Sequence, residues 1–242
     1  MFVKEVSMRR KIGLVGGVSP ESTVEYYQYI VRKYHERYGD LHFPEVIIYS
    51  VRFKLLCEWS DSGHWEKTAA ELVRVGNCLE AAGAEGLMLT ANTLHYVIEE
   101  FTAGVNVPVI SILDVVADAI EESGISKIGL LGTKYTMELP FYRDALAQRN
   151  IEVLVPDSSE RQVVSDIIYG ELIKGIIREK SKQTYLAALS NLAKMGAEGL
   201  ILGCTEIPLL IKPEDTELPQ FNTTELHAEA ALQFAMGDEL TP

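Results

Sequence analysis

Two stretches of the chain nearly repeat each other, GAEGLMLTANT at 83–93 and GAEGLILGCTE at 196–206, an offset of 113 residues. A second pair, KIGLVGG at 11–17 and KIGLLGT at 127–133, recurs at an offset of 116. Two matches in the same order at nearly the same spacing read as a duplicated unit. Each match centres on a short run of Val, Ile, Leu and Gly, the pattern of a strand in a parallel sheet covered on both faces. Further runs place strands at 11–15, 45–51, 86–89 and 107–110, and again at 127–131, 152–155, 199–202 and 218–221. Longer segments of helical period lie between them, as in βα units. Ser19 with Pro20 and Glu21 marks one helix start, and Asn222 with Glu225 marks another as a capping box. The expected fold is α/β: two pseudo-symmetric lobes, each a four-stranded parallel sheet flanked by helices, with the active site in the cleft between them. The N-terminal lobe is expected over 1–116 and the C-terminal lobe over 117–212, with a terminal helix at about 213–242 packing back on the first lobe.

Composition narrows the function classes. Asp and Glu number 35 against 22 Lys and Arg, a net charge of -13, which excludes the clustered basic surface of a nucleic-acid binder. No apolar run approaches the roughly 20 residues that span a bilayer. The start, MFVKEVSMRRK, is basic without an apolar stretch of leader length behind it, so a cytoplasmic protein with no membrane partner is expected. The three cysteines, Cys57, Cys78 and Cys204, lack CxxC spacing, and the five histidines lack HxxxH spacing, so no metal is expected.

In a parallel sheet, ligands sit beyond the carboxyl ends of the strands. The loops there are GGVSPEST (16–23), TANTLH (90–95), GTKYTM (132–137) and GCTEIP (203–208). Each follows a strand and opens a helix, so its backbone N–H groups and small hydroxyls suit a small acid. GGVSPEST has neither GxGxxG nor a GK[ST] ending, which sets dinucleotide and P-loop binding aside. Cys204, between Gly203 and Thr205 at a helix start, is the candidate reactive thiol, with a pKa expected to be lowered there. Cys57 and Cys78 have apolar neighbours and read as packing residues. His95 and Glu206 are candidates for supporting roles beside the reacting groups.

GGVSPEST, ANTLH, LLGTKYTMELPFY, LGCTEIPLL and NTTELHAEAA together resemble the aspartate/glutamate racemase family of cofactor-independent amino-acid racemases, over nearly the whole chain after the first ten residues. The resemblance implies an acidic amino acid as substrate, no cofactor, a homodimer, and one proton carrier from each lobe facing the α-carbon from opposite sides. The second carrier falls on Cys204 and the first on Ala91, which cannot carry a proton. Gly17, Ser19, Asn92, Thr93, Thr133, Thr136 and Thr205 fall on positions that hold the substrate or orient the reacting groups. Arg52 and Asn222 stand where relatives carry acidic residues; Arg52 could hold a side-chain carboxylate, and Lys174 is a weaker candidate of the same kind. Thr90, one residue before Ala91, points to the other face if the strand continues.

Ala91 leaves three readings open: a replaced cysteine, a natural enzyme that works from Cys204 alone, or a fold that kept binding and lost turnover. The functions these imply are racemisation of aspartate or glutamate, a single-cysteine decarboxylase or lyase, and a non-catalytic dicarboxylate-binding protein.

Overall fold

The computed structural model describes residues 9–237. Residues 1–8, which include Lys4 of the basic start, and 238–242, the end of the segment expected to pack back on the first lobe, lie outside the described residues. The described chain forms two α/β units, 9–111 with 227–237 and 112–226.

The first unit holds β1 (Ile12–Gly16), α1 (Pro20–Tyr38), β2 (Val46–Ser50), α2 (Phe53–Asp61), α3 (Trp65–Ala81), β3 (Gly86–Leu89), α4 (Ile98–Ala103) and β4 (Val109–Ile110). Its sheet is parallel in the order β2-β1-β3-β4. Every residue of the central strands β1 and β3 is buried, while the edge strand β2 is only partly covered. Burial on both faces explains why β1 and β3 are continuous apolar runs. One face packs Val15, Leu87 and Leu89 against Leu72, Val75, Leu79 and Phe101. Tyr26, Ile30 and Tyr34 are the buried stripe of α1.

The second unit begins with α5 (Ile112–Glu122) and continues through β5 (Lys127–Gly132), α6 (Lys134–Glu138), α7 (Phe141–Ala147), β6 (Glu152–Leu154), α8 (Ser158–Gly170), α9 (Glu179–Lys194), β7 (Gly199–Gly203), α10 (Ile207–Leu210) and β8 (Gln220–Asn222). Its parallel sheet runs β6-β5-β7-β8, the same order as the first. The last helix, α11 (Thr223–Ala235), starts in the second unit and passes into the first after Leu226. The units thus divide after Ser111 and Leu226, which differs from the expected divisions after 116 and 212. β8 hydrogen-bonds to β7 and α5 packs on α7 and β8, so residues 112–116 and 213–226 stay with the second sheet.

The repeated GAEG has a structural reason. Gly83 and Gly196 both take positive φ, 98° and 99°, at the turn from helix to strand. Glu85 then exchanges backbone and side-chain bonds with Lys11, its N–H donating to Lys11 O at 2.8 Å and its carboxylate accepting from Lys11 N at 2.9 Å. Glu198 does the same with Lys127, at 2.8 and 3.1 Å. In each unit this Glu clamps the start of one central strand to its neighbour.

Gly86 shows how closely the first sheet is covered. A Cβ there would overlap the Phe234 ring of α11 at less than any ordinary contact distance. Gly86→Ala is therefore expected to destabilise the protein by about 1–3 kcal/mol, the usual cost of overpacking. Urea unfolding at neutral pH checks this, and an unchanged midpoint would show that Phe234 yields freely.

Candidate functional site

In both sheets the strand order reverses at the first strand: β1 lies between β2 and β3, and β5 between β6 and β7. The switch points are therefore β1/β3 and β5/β7, and the loops beyond their carboxyl ends are the positions where open α/β sheets bind ligands.

In the first unit, β1 runs into Gly17 at φ 89°. Its N–H donates to Thr23 Oγ1 at 2.7 Å, and a Cβ would lie 2.7 Å from Ser50 Oγ and 2.8 Å from the backbone of Val51. Only glycine permits that conformation and that approach, and it brings the β1 loop against the end of β2. Arg52 is the next residue after Val51, exposed, ahead of α2, and its charge helps hold the Glu71 carboxyl below its usual range, behind the larger effect of Arg74. Ser19 is buried and caps α1, accepting from Ser22 N at 3.3 Å.

The β3 loop opens a 3₁₀ turn over Asn92–Val97 instead of an α-helix. Ala91 precedes it in extended conformation, φ −151° and ψ 135°, half-buried against the core. The backbone on either side is held firmly. Thr90 N and Thr90 Oγ1 both donate to Val15 O at 3.1 Å, Ser22 Oγ donates to Thr90 O at 3.0 Å, and His95 Nδ1 donates to Ala91 O at 3.0 Å. Thr90 is fully buried with its hydroxyl committed to Val15 O. Asn92 is buried and Thr93 half-buried in the same turn.

In the second unit, Thr133 caps α6, its Oγ1 accepting from Thr136 N at 3.3 Å and lying 3.0 Å from Thr136 Oγ1. Gly132 and Gly203 are register partners, which sets the Thr133 and Cys204 loops side by side. Cys204 Sγ donates to Glu206 Oε2 at 2.9 Å, and Thr205 Oγ1 donates to the same oxygen at 2.7 Å. The Cys204 pKa is pushed well above the usual thiol value, first by burial and then by the Glu206 carboxylate. The expectation of a lowered pKa is thus reversed. The helix that follows, α10, has only four residues and starts at Ile207, so it offers little dipole, and an anion sits beside the sulfur instead. Lys174 lies in a 3₁₀ turn after α8 and Asn222 caps α11 through Thr224 N at 3.2 Å.

Four contributors were not legible in the sequence. Ser22 and Thr23, inside α1, pin the loops of Thr90 and Gly17. Tyr185, fully buried on α9, donates to Val164 O at 3.1 Å, and its pKa is raised by burial and then by Cys204 and Glu206. Tyr26 bonds His227 at 3.0 Å from the far end of the chain. Nothing local distinguishes these from ordinary helix residues. Among the described residues no three His, Cys, Asp or Glu side chains gather as a metal site would need, and no helix is long and apolar enough to cross a membrane.

A family model described as Asp/Glu/hydantoin racemase matches residues 15–231. A solved chain from Yersinia pestis, a candidate Asp/Glu racemase, is 41% identical with a TM-score of 0.88, covering 94% of this chain and 99% of that one. An aspartate racemase homologue from Pyrococcus horikoshii OT3 is 38% identical with a TM-score of 0.82, covering 93% and 99%. Among curated proteins, the broad specificity amino-acid racemase RacX of Bacillus subtilis is 24% identical over 224 residues, 91% of this chain and 96% of that one.

Proposed function

Because the chain belongs to the Asp/Glu/hydantoin racemase family, we propose that it is an amino-acid racemase-type enzyme that moves the α-proton of an acidic amino acid, aspartate or glutamate, with Cys204 as acid/base and position 91 as the vacant counterpart. The observation that carries this reading is the thiol–carboxylate pair, Cys204 Sγ at 2.9 Å from Glu206 Oε2. Once its proton is lost to water the sulfur is a thiolate, and the pKa shift toward higher values makes that thiolate a stronger base. The thiolate takes the α-proton, the C–H electron pair moves onto the substrate carboxylate, and the thiol returns a proton to the same face. Thr205 shares the Glu206 oxygen and orients it. Asn92, Thr93, Thr133 and Thr136, with Gly17 and Ser19 in the first loop, are assigned to substrate binding, and Arg52 to a side-chain carboxylate. The three cysteines are free, which suits the reducing cytoplasm.

With alanine at 91 the exchange is one-sided. Incubated in D2O with L- and D-aspartate and L- and D-glutamate separately, the protein is expected to wash out the α-proton of one enantiomer and to leave its mirror image at least about tenfold slower, as one missing acid/base group requires. Proton NMR reads this directly. Exchange of none of the four, with CO2 released from a malonate-type diacid, would replace this reading by a single-cysteine decarboxylase.

A further inference from the structure

The bonds that hold Ala91 lead into a part of the first unit that the proton transfer does not use. His95 is fully buried, and its Nδ1 lies 3.0 Å from Ala91 O. A carbonyl oxygen only accepts, so the proton is on Nδ1. The His227 ring packs edge-on against it, with centroids 5.9 Å apart. His227 is also fully buried, its Nε2 2.7 Å from Ile110 O and its Nδ1 3.0 Å from Tyr26 Oη. The same reasoning puts its proton on Nε2 and leaves Nδ1 to accept from the tyrosine. Burial keeps both rings neutral, with pKa values held down to about 4 for His95 and about 3 for His227.

These contacts join α1, the Ala91 turn, the end of β4 and α11 within one unit. Packing alone would be served as well by leucine or phenylalanine, without the cost of burying polar rings. What the imidazoles add is direction: a donor aimed at one carbonyl, on a ring whose orientation is set by a second ring with a fixed tautomer. The arrangement parallels a metal-site histidine, where the bond made by one nitrogen sets the role of the other.

We propose that His95 and His227 are positioning residues for the substrate-binding turn. His95 holds the Ala91 carbonyl and thereby the Asn92 and Thr93 groups that follow it, and His227, keyed by Tyr26 and Ile110, holds the His95 ring. The inference rests on the reading above that Asn92 and Thr93 meet the substrate.

The test has one arm that needs no variant and no activity. ¹⁵N NMR of the full chain is expected to show His95 protonated on Nδ1 and His227 on Nε2, both unchanged between pH 8 and 5.5. In the second arm, His95→Leu removes the donor, while His95→Asn puts an amide N–H where Nδ1–H was. His95→Leu is expected to raise KM for α-proton exchange by about tenfold or more, with kcat affected less, as loss of a buried hydrogen bond near a binding turn would do. His95→Asn recovers most of that loss, and the Asn92 amide resonance moves in the leucine variant but not in the asparagine one. The opposite tautomer in either histidine overturns the proposal, as does a leucine variant with the native Asn92 resonance and the native KM. If the native protein exchanges no α-proton, the functional reading fails, and the tautomers and the Asn92 resonance still decide the positioning role. If the leucine variant does not fold, the native tautomers decide it.

Discussion

Ala91→Cys is expected to turn a one-sided proton exchanger into a racemase, raising interconversion of the preferred amino acid's enantiomers by about 10²-fold or more, the contribution of one general acid/base. The backbone at 91 is already extended and held by the bonds from Thr90 to Val15, from Ser22 to Thr90 and from His95 to Ala91 O. A thiol added there is thus carried on a pre-set frame, on a residue whose side chain is only half-buried. Pre-organisation matters because proton transfer depends on sub-ångström placement of the donor. Cys204→Ala is expected to abolish exchange in the native background and, combined with Ala91→Cys, to leave washout of only the opposite enantiomer, from the thiol at 91. Following both enantiomers by polarimetry and α-proton NMR distinguishes the outcomes. If the native protein exchanges one enantiomer while Ala91→Cys leaves interconversion unchanged, position 91 is not the second proton carrier.

The repeat in the sequence carried the architecture because its residues do the same structural work twice. Glu85 and Glu198 each clamp a strand start, and the doubly covered central strands are apolar throughout, so the signal is local and strong. The candidate loops were legible for the same reason, since they are the segments that immediately follow those strands. The chemistry of the loops was not. A thiol before a polar pair at a helix start reads as a low-pKa cysteine, yet the direction of its shift is decided by where the Glu206 side chain turns and how short α10 is. Tyr185 reaches the neighbourhood of Cys204 from α9, and Tyr26 meets His227 across 201 residues of chain. Contacts of that kind follow from packing and leave no periodicity. The unit boundary was misplaced for a related reason: helix α11 is continuous in sequence, but its first residues bond to β7, with Thr223 Oγ1 donating to Leu202 O at 3.0 Å.

Acid is expected to unfold this protein through His95 and His227 before its carboxylates are reached. Their pKa values in the fold are about 4 and about 3, against the ordinary 6.5. The cause is burial first; the Ala91 carbonyl opposes it for His95, and the neighbouring His95 adds to it for His227. Between pH 6.5 and 4 the unfolded chain binds two protons that the folded chain refuses, so stability is complete above about pH 6.5 and falls as the pH is lowered. Each proton contributes about 1.4 kcal/mol per pH unit, which sums to about 5 kcal/mol between pH 6.5 and 4.5. That is comparable with the whole stability of an ordinary domain. Paired carboxylates such as Asp157 and Asp215, whose pKa values are lowered in the fold by their hydrogen bonds, lose their contribution only below that window. Urea unfolding at pH 7.5, 6.0, 5.0 and 4.5 separates the two effects. The double variant His95→Asn with His227→Gln keeps a donor toward Ala91 and toward Ile110 but titrates nowhere in the window, so its stability should stay level from pH 6.5 to 4.5 while the native protein's falls. A native protein equally stable across that range would mean that the two imidazoles accept protons without leaving their sites, and the neutral, tautomer-locked pair would have to be given up.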